Sequence, residues 1–229
     1  MDIHGFQKMT LLDYPGKVAA TIFLGGCDFR CPYCHNFELV EAPGEPVIAQ
    51  EELFAFLEKR RGILDGVTVT GGEPCLRKDL KDFVARIKEM GYRVKLDTNG
   101  NHPEVLMELV EGDMIDYVAM DIKNSLSKYG MTIGVPDFDT SNVEKSIDYL
   151  IHGKIPYELR TTVVSQFHKK EDFEEIGRTI EGARAYFLQQ FVQRDTVPDT
   201  SLTSPSRKDM EIFLETVRKY VPTSEIRGI

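Results

Sequence analysis

The stretch VAATIFLGGCDFRCPYCHN, residues 18–36, sets an apolar run directly before a loop that carries three of the chain's four cysteines. Val18–Leu24 is short and rich in β-branched and apolar side chains, which predicts a strand. Two glycines close it. Cys27, Cys31 and Cys34 then follow in the spacing C-x3-C-x2-C. Three thiolates on one short loop can hold three irons of a cubic iron–sulfur cluster and leave the fourth iron without a protein ligand. An iron left open can take a substrate or cofactor, whereas a fully ligated cluster can only pass electrons.

Downstream of this unit the pattern repeats. Strand-like runs at Gly66–Thr70, Tyr92–Leu96, Tyr117–Ile122, Tyr157–Val164 and Tyr186–Val192 alternate with helical patterns. Leu80, Phe83, Val84 and Ile87 recur at helical spacing in Lys78–Met90, and Gly91 can close that helix. Ser141–Ile151 places Val143, Ile147, Leu150 and Ile151 on one face, with Ser141 and Glu144 as a capping box. Pro103 suits the first turn of a helix ending near Gly112. Gln50–Arg61, Asp172–Glu181 and Ser206–Tyr220 complete the set. Strands and helices in alternation give an α/β fold with parallel strands. A closed (β/α)8 barrel runs to about 250 residues. This chain has 229 residues and supplies roughly six β–α units, so the reading is an incomplete, laterally open (β/α)6 TIM-type barrel. One domain is expected over 1–229: an antiparallel N-terminal addition over 1–17, the partial barrel over 18–193, and a C-terminal loop and helix over 194–229.

Composition narrows the function. The formal net charge is −9, with no basic stripe, so nucleic acid is not an expected partner. No apolar run is long enough to span a bilayer. The N-terminus has no apolar signal core, so a cytoplasmic protein is expected. Clustered cysteines without an export signal point to metal chemistry rather than disulfides. A structural zinc site is the competing reading, with His35 as fourth ligand. Its adjacency to Cys34 makes joint tetrahedral ligation awkward, and the sequence has no second knuckle. An electron-transfer cluster would want a fourth cysteine. Cys75 reads instead as a small buried thiol.

GGCDFRCPYCHN, with aromatic Tyr33 just before the last cysteine, resembles the radical S-adenosyl-L-methionine (SAM) superfamily. The CHN ending and the motifs that follow are similar to the glycyl-radical-enzyme activating proteins, above all those of anaerobic ribonucleoside-triphosphate reductase and of pyruvate formate-lyase. The resemblance implies a 4Fe–4S cluster on Cys27, Cys31 and Cys34, with SAM on the open iron. Reductive cleavage of SAM would then give methionine and a 5′-deoxyadenosyl radical. It also implies roles at the strand ends. Tyr33 would lie near the adenine, and Gly71, Gly72 and Glu73 of GGEP near the SAM amino group. Asp97 of the DTNG motif would face the ammonium, with Asn99 beside it. Lys123 of the MDIK motif would meet the methionine carboxylate, with Asp121 on the same side of the strand. Arg160 would pair with that carboxylate or with Glu73, or sit in a structural ion pair. Some relatives carry a histidine after the sixth strand; Gln193 stands there in this chain, and His168 is the other candidate. His4, His102, His152 and His168 otherwise read as surface residues. Asp13 and Tyr14 would border the cluster.

An open barrel admits a loop of another protein, so the expected target is a glycine of a partner glycyl-radical enzyme. Flavodoxin or ferredoxin would supply the electron. The alternatives are a pyruvate formate-lyase-type activase, a radical SAM enzyme acting on a small metabolite (as a deazaguanine-forming synthase does), and a cluster-binding electron carrier.

Overall fold

The computed structural model describes residues 1–41 and 43–228; Ile229, the last residue of the expected domain, lies outside them. The chain divides into two compact units. The first comprises Met1–Asp28, Glu38–Thr98 and Glu104–Val118. The second comprises Phe29–Phe37, Asn99–Pro103 and Ala119–Ile229.

In the first unit β1 (Ile3–Thr10) runs antiparallel to β2 (Ala19–Leu24). Strands β3 (Gly66–Gly71) and β4 (Arg93–Thr98) follow in parallel. Helices α1 (Phe37–Glu41), α2 (Gln50–Lys59), α3 (Leu80–Glu89) and α4 (Pro103–Glu111) punctuate them. β2 and β3 are buried along nearly their whole length, as parallel strands covered on both faces must be. Helix α3 buries the four residues its periodicity predicts, Leu80, Phe83, Val84 and Ile87. Each contributes about 1.5–3 kcal/mol over an exposed position. Phe83 meets Phe54 of α2 edge-on at 5.8 Å between ring centroids.

β5 (Tyr117–Asp121) begins in the first unit and ends in the second. In the second unit β6 (Tyr157–Val163), β7 (Tyr186–Gln190) and β8 (Glu225–Arg227) are parallel. Its helices are α5 (Tyr129–Ile133), α6 (Ser141–His152), α7 (Lys170–Thr179) and α8 (Arg207–Val217). Phe173 of α7 stacks on Phe213 of α8 at 4.6 Å.

Several local expectations are corrected. Thr140, not Ser141, is the N-cap residue of α6; its hydroxyl bonds the Glu144 carboxylate at 2.6 Å, while the Ser141 amide donates to Asp139 Oδ1. Helix α7 starts at Lys170, two residues before the expected Asp172, because the Asp172 carboxylate accepts the Lys169 amide at 2.7 Å and so serves the helix as its third residue. The C-terminal segment carries β8 beyond its helix, and Arg227 there makes a two-pronged ion pair with buried Glu158 of β6. Asp13 and Tyr14 do not border the cysteine loop. Antiparallel β1 returns the chain to the start of β2, where Thr10 faces Ala19, and the cysteines follow the other end of that strand. There Asp13 accepts a 2.6 Å hydrogen bond from Thr21, and Tyr14 packs against Tyr117. Among the described residues no helix is long and apolar enough to cross a membrane.

Candidate functional site

In the first unit the candidate groups gather where β2, β3 and β4 end. The backbone does most of the joining. Gly72 donates to the Leu24 carbonyl and Glu73 to the Gly26 carbonyl, each at 2.8 Å. A Cβ on Gly72 would stand 2.0 Å from the Gly26 oxygen, and Gly71 holds φ at +118°. Only glycine permits this close approach and this backbone angle. Cys27 is half-buried, with its sulfur 3.8 Å from Asp28 Oδ1.

Glu73 is fully buried. Its Oε1 accepts the Cys75 amide and the Thr98 hydroxyl, both at 2.9 Å. The carboxylate therefore caps the short turn Pro74–Leu76 and ties the end of β3 to the end of β4. Cys75 is buried beside Thr98, and burial drives its thiol well above the ordinary range, as suits a packing residue. Asp97 forms an ion pair with Lys95, two residues back on the same side of β4. Lys95 is 1% exposed and was not singled out from the sequence. The signal lay in K-x-D at strand spacing, which puts both side chains on one face.

In the second unit Cys31 is buried and Cys34 half-buried, with the Cys34 amide bonded to the Cys31 carbonyl at 3.1 Å. Burial pushes the Cys31 thiol up to about 11 and raises Cys34 as well. The loop is anchored by Phe29, whose ring meets Tyr129 and Phe138 edge-on at 6.3 and 5.2 Å. Tyr33 is buried against Phe167, and among the described residues its hydroxyl has no hydrogen-bond partner. His35 stacks on Phe191 and donates a ring N–H to the Val192 carbonyl at 2.7 Å. Asp199 donates its amide to the Pro32 carbonyl at 3.2 Å. The segment after β7 thus closes on the cysteine loop, a contact no sequence pattern revealed. Gln193 is exposed in that segment.

Asp121 of β5 binds two cations. Lys123 Nζ lies 2.8 Å from Oδ2, and Arg160 Nε of β6 bonds Oδ1. Asp121 is thus a partner of Arg160, in a structural ion pair of the kind the sequence allowed. Burial alone would raise the Asp121 carboxyl, but Arg160 and Lys123 hold it well below the usual carboxylate range. Two cations thus converge on Asp121 at partly exposed strand ends, the kind of groups a carboxylate ligand calls for. Asn99 serves a turn, its Oδ1 accepting the Asn101 amide at 2.9 Å. His152 is exposed as expected, and His4 and His102 are half-buried. His168 is buried, contrary to the surface reading, because both ring nitrogens have backbone partners.

The donor set fits a cluster with SAM. The cysteines are free thiols. Burial would keep Cys31 neutral without metal, and a soft metal takes the thiolate form. The unpartnered Tyr33 hydroxyl and the Gly26–Gly72 cradle are features that packing alone does not call for. Among the described residues no three His, Cys, Asp or Glu side chains group around a single metal ion. A cube carries its thiolates on separate irons, and so spreads its ligands wider.

The model of the Radical SAM superfamily matches residues 21–182. A candidate glycyl-radical enzyme activating enzyme of Methanocaldococcus jannaschii is 35% identical over 99% of this chain and 96% of its own. The pyruvate formate-lyase 1-activating enzyme of Escherichia coli K12 is 29% identical over 74% of this chain and 70% of its own. Among solved structures, a domain of pyruvate-formate lyase-activating enzyme from Bacteroides vulgatus superposes with a TM-score of 0.58 at 19% identity, covering 71% of this chain and 99% of that one. The last likeness shows the fold alone, the α/β class with a parallel, open sheet expected from the sequence. The chain belongs to the radical SAM superfamily, within the family of glycyl-radical-enzyme activating enzymes. Membership implies a 4Fe–4S cluster and SAM.

Proposed function

We propose that this enzyme activates a glycyl-radical enzyme, anaerobic ribonucleoside-triphosphate reductase, by taking a hydrogen atom from one of its glycines. The likeness along nearly the whole chain to an activating-enzyme relative supports the activase reading, and the choice of the reductase rests on the sequence resemblance. Cys27, Cys31 and Cys34 would hold the cluster. When bound, the cluster and SAM supply one-electron cleavage of the sulfonium C–S bond and hence a carbon radical able to abstract hydrogen.

The chain's own residues bind and orient. Lys123, with Arg160 behind the shared Asp121, would receive the SAM carboxylate. The backbone of Gly71–Glu73 and the Asp97 carboxylate would receive its ammonium, with Lys95 fixing Asp97. Tyr33 would border the adenine, while Asn99 and exposed Gln193 contribute to the rim. Residues 1–229 would act as one domain in the cytoplasm, with flavodoxin or ferredoxin as the electron donor. A pyruvate formate-lyase-type partner is the second reading, favoured by the Escherichia coli relative.

The test is anaerobic mixing of the cluster-loaded, reduced protein with SAM and each candidate partner. A glycyl doublet by electron paramagnetic resonance is expected on the reductase. A doublet on a pyruvate formate-lyase alone would reassign the partner. No doublet on any partner, with turnover of a small metabolite, would overturn the activase reading.

A further inference from the structure

His168, a candidate in the sequence for direct contact with SAM, is instead 1% exposed and bonded at both ring nitrogens to backbone groups. Nδ1 stands 3.1 Å from the Val164 amide and Nε2 stands 3.0 Å from the Lys123 carbonyl. An amide can only donate and a carbonyl can only accept. Nδ1 must therefore be bare and Nε2 must carry the proton. The Val164 carbonyl also lies 3.2 Å from Nδ1, but the Val164 N–H is directed at Nδ1, and that decides for the bare nitrogen. The neutral Nε2–H tautomer is thus fixed by its partners, and burial, which lowers the pKa of this ring, acts in the same direction.

The ring bridges the end of β5 to the turn after β6. On its other side Lys123 donates its amide to the buried Tyr129 hydroxyl at 3.4 Å. Asn124, next in the chain, donates to the Phe167 carbonyl at 3.1 Å and to Thr132 Oγ1 at 2.8 Å. The Lys123 backbone is held from both sides, while its ammonium projects to Asp121.

We propose that His168 is a positioning residue for SAM binding, a strut that fixes the Lys123 backbone so that the ammonium stands where the SAM carboxylate docks. This rests on the reading of Lys123 given above. Any buried imidazole must satisfy both ring nitrogens; what marks His168 is that one of its partners is the backbone carbonyl of Lys123 itself.

The test uses anaerobically reconstituted holoenzyme at pH 7. SAM dissociation constants, cluster absorbance and thermal midpoints are measured for His168→Leu, His168→Gln, Lys123→Ala and the Lys123→Ala/His168→Leu pair. Outer-shell partners of a ligand typically move affinity by about 10–100-fold. We expect His168→Leu to weaken SAM binding about tenfold at unchanged cluster content, and His168→Gln to recover part of the loss. In the Lys123→Ala background His168→Leu should cost no further affinity, although it should still lower the thermal midpoint.

A purely structural role would move the midpoint and leave SAM affinity alone, or cost the same fold in both backgrounds. Either result overturns the strut. If Lys123→Ala itself leaves SAM affinity intact, the reading of Lys123 fails and the strut with it. Should His168→Leu not fold, 15N-histidine spectra of the wild type, assigned with His168→Gln, decide the matter. A bare Nδ1 and protonated Nε2 support the strut, and any other tautomer or a charged ring overturns it.

Discussion

The two groups of strand ends differ in how they use charge. In the first unit the acids are engaged from within: Glu73 caps a turn and bonds Thr98, and Asp97 pairs with buried Lys95. What remains for a ligand there is largely backbone, shaped by Gly71 and Gly72. In the second unit one carboxylate, Asp121, is shared by two cations, Lys123 and Arg160. Backbone carbonyls and a shared acid are the kind of surface that suits an ammonium, and paired cations the kind that suits a carboxylate.

The largest effect should come from the cysteine loop. Cys31→Ala should remove the cluster's visible absorbance and all SAM cleavage, since a cube with two protein thiolates is not held. Retention of a full cluster in that variant would break the assignment of ligands.

Next comes the contrast itself. Asp97→Ala strands a buried ammonium, and breaking a buried pair costs about 3–5 kcal/mol. Lys123→Ala leaves Asp121 with Arg160 and should change stability by less than about 1 kcal/mol while weakening SAM binding more than tenfold, a loss above about 1.4 kcal/mol. Denaturant unfolding and SAM titration, measured together, sharpen the comparison. Equal stability losses in the two variants would contradict it.

Gly72→Ala probes the backbone side. Its Cβ would meet the Gly26 oxygen at 2.0 Å, and forced displacement of this kind costs about 1–3 kcal/mol. We expect a lowered thermal midpoint and reduced cluster loading. An unchanged midpoint would show that the cradle yields without cost.

A further effect concerns pH. A carboxyl held low stabilises the fold above its unfolded pKa of about 3.9, and the contribution is lost as pH falls through the lower folded value. Asp121→Asn should therefore be less stable than wild type at pH 7, and the gap should close on acidification below about pH 4. A gap that widened with acid would mean that Asp121 is not held low.

Much of the fold was legible because parallel strands and their helices announce themselves by run length and period. Leu80, Phe83, Val84 and Ile87 lie buried as spaced. The strand-end motifs were legible as positions, but their bonding was not. Nothing local in GGEP says that Glu73 will turn inward to cap its own turn, and nothing in DTNG says that Lys95 will reach Asp97 from inside the sheet. Both outcomes depend on which face of the strand is enclosed. His168 was misread for the same reason. Histidine is intermediate in burial, and only the approach of Lys123 and Val164 satisfies its ring inside the fold. β8 was missed because three residues, Glu225–Arg227, carry too little alternation to register.

The central claim is that one iron of a three-thiolate cluster is the docking point for SAM. Mössbauer spectroscopy of anaerobically reconstituted, iron-57-labelled protein tests it most directly. The account predicts one iron distinct from the other three and shifted when SAM is added. Four equivalent irons, unmoved by SAM, would contradict it.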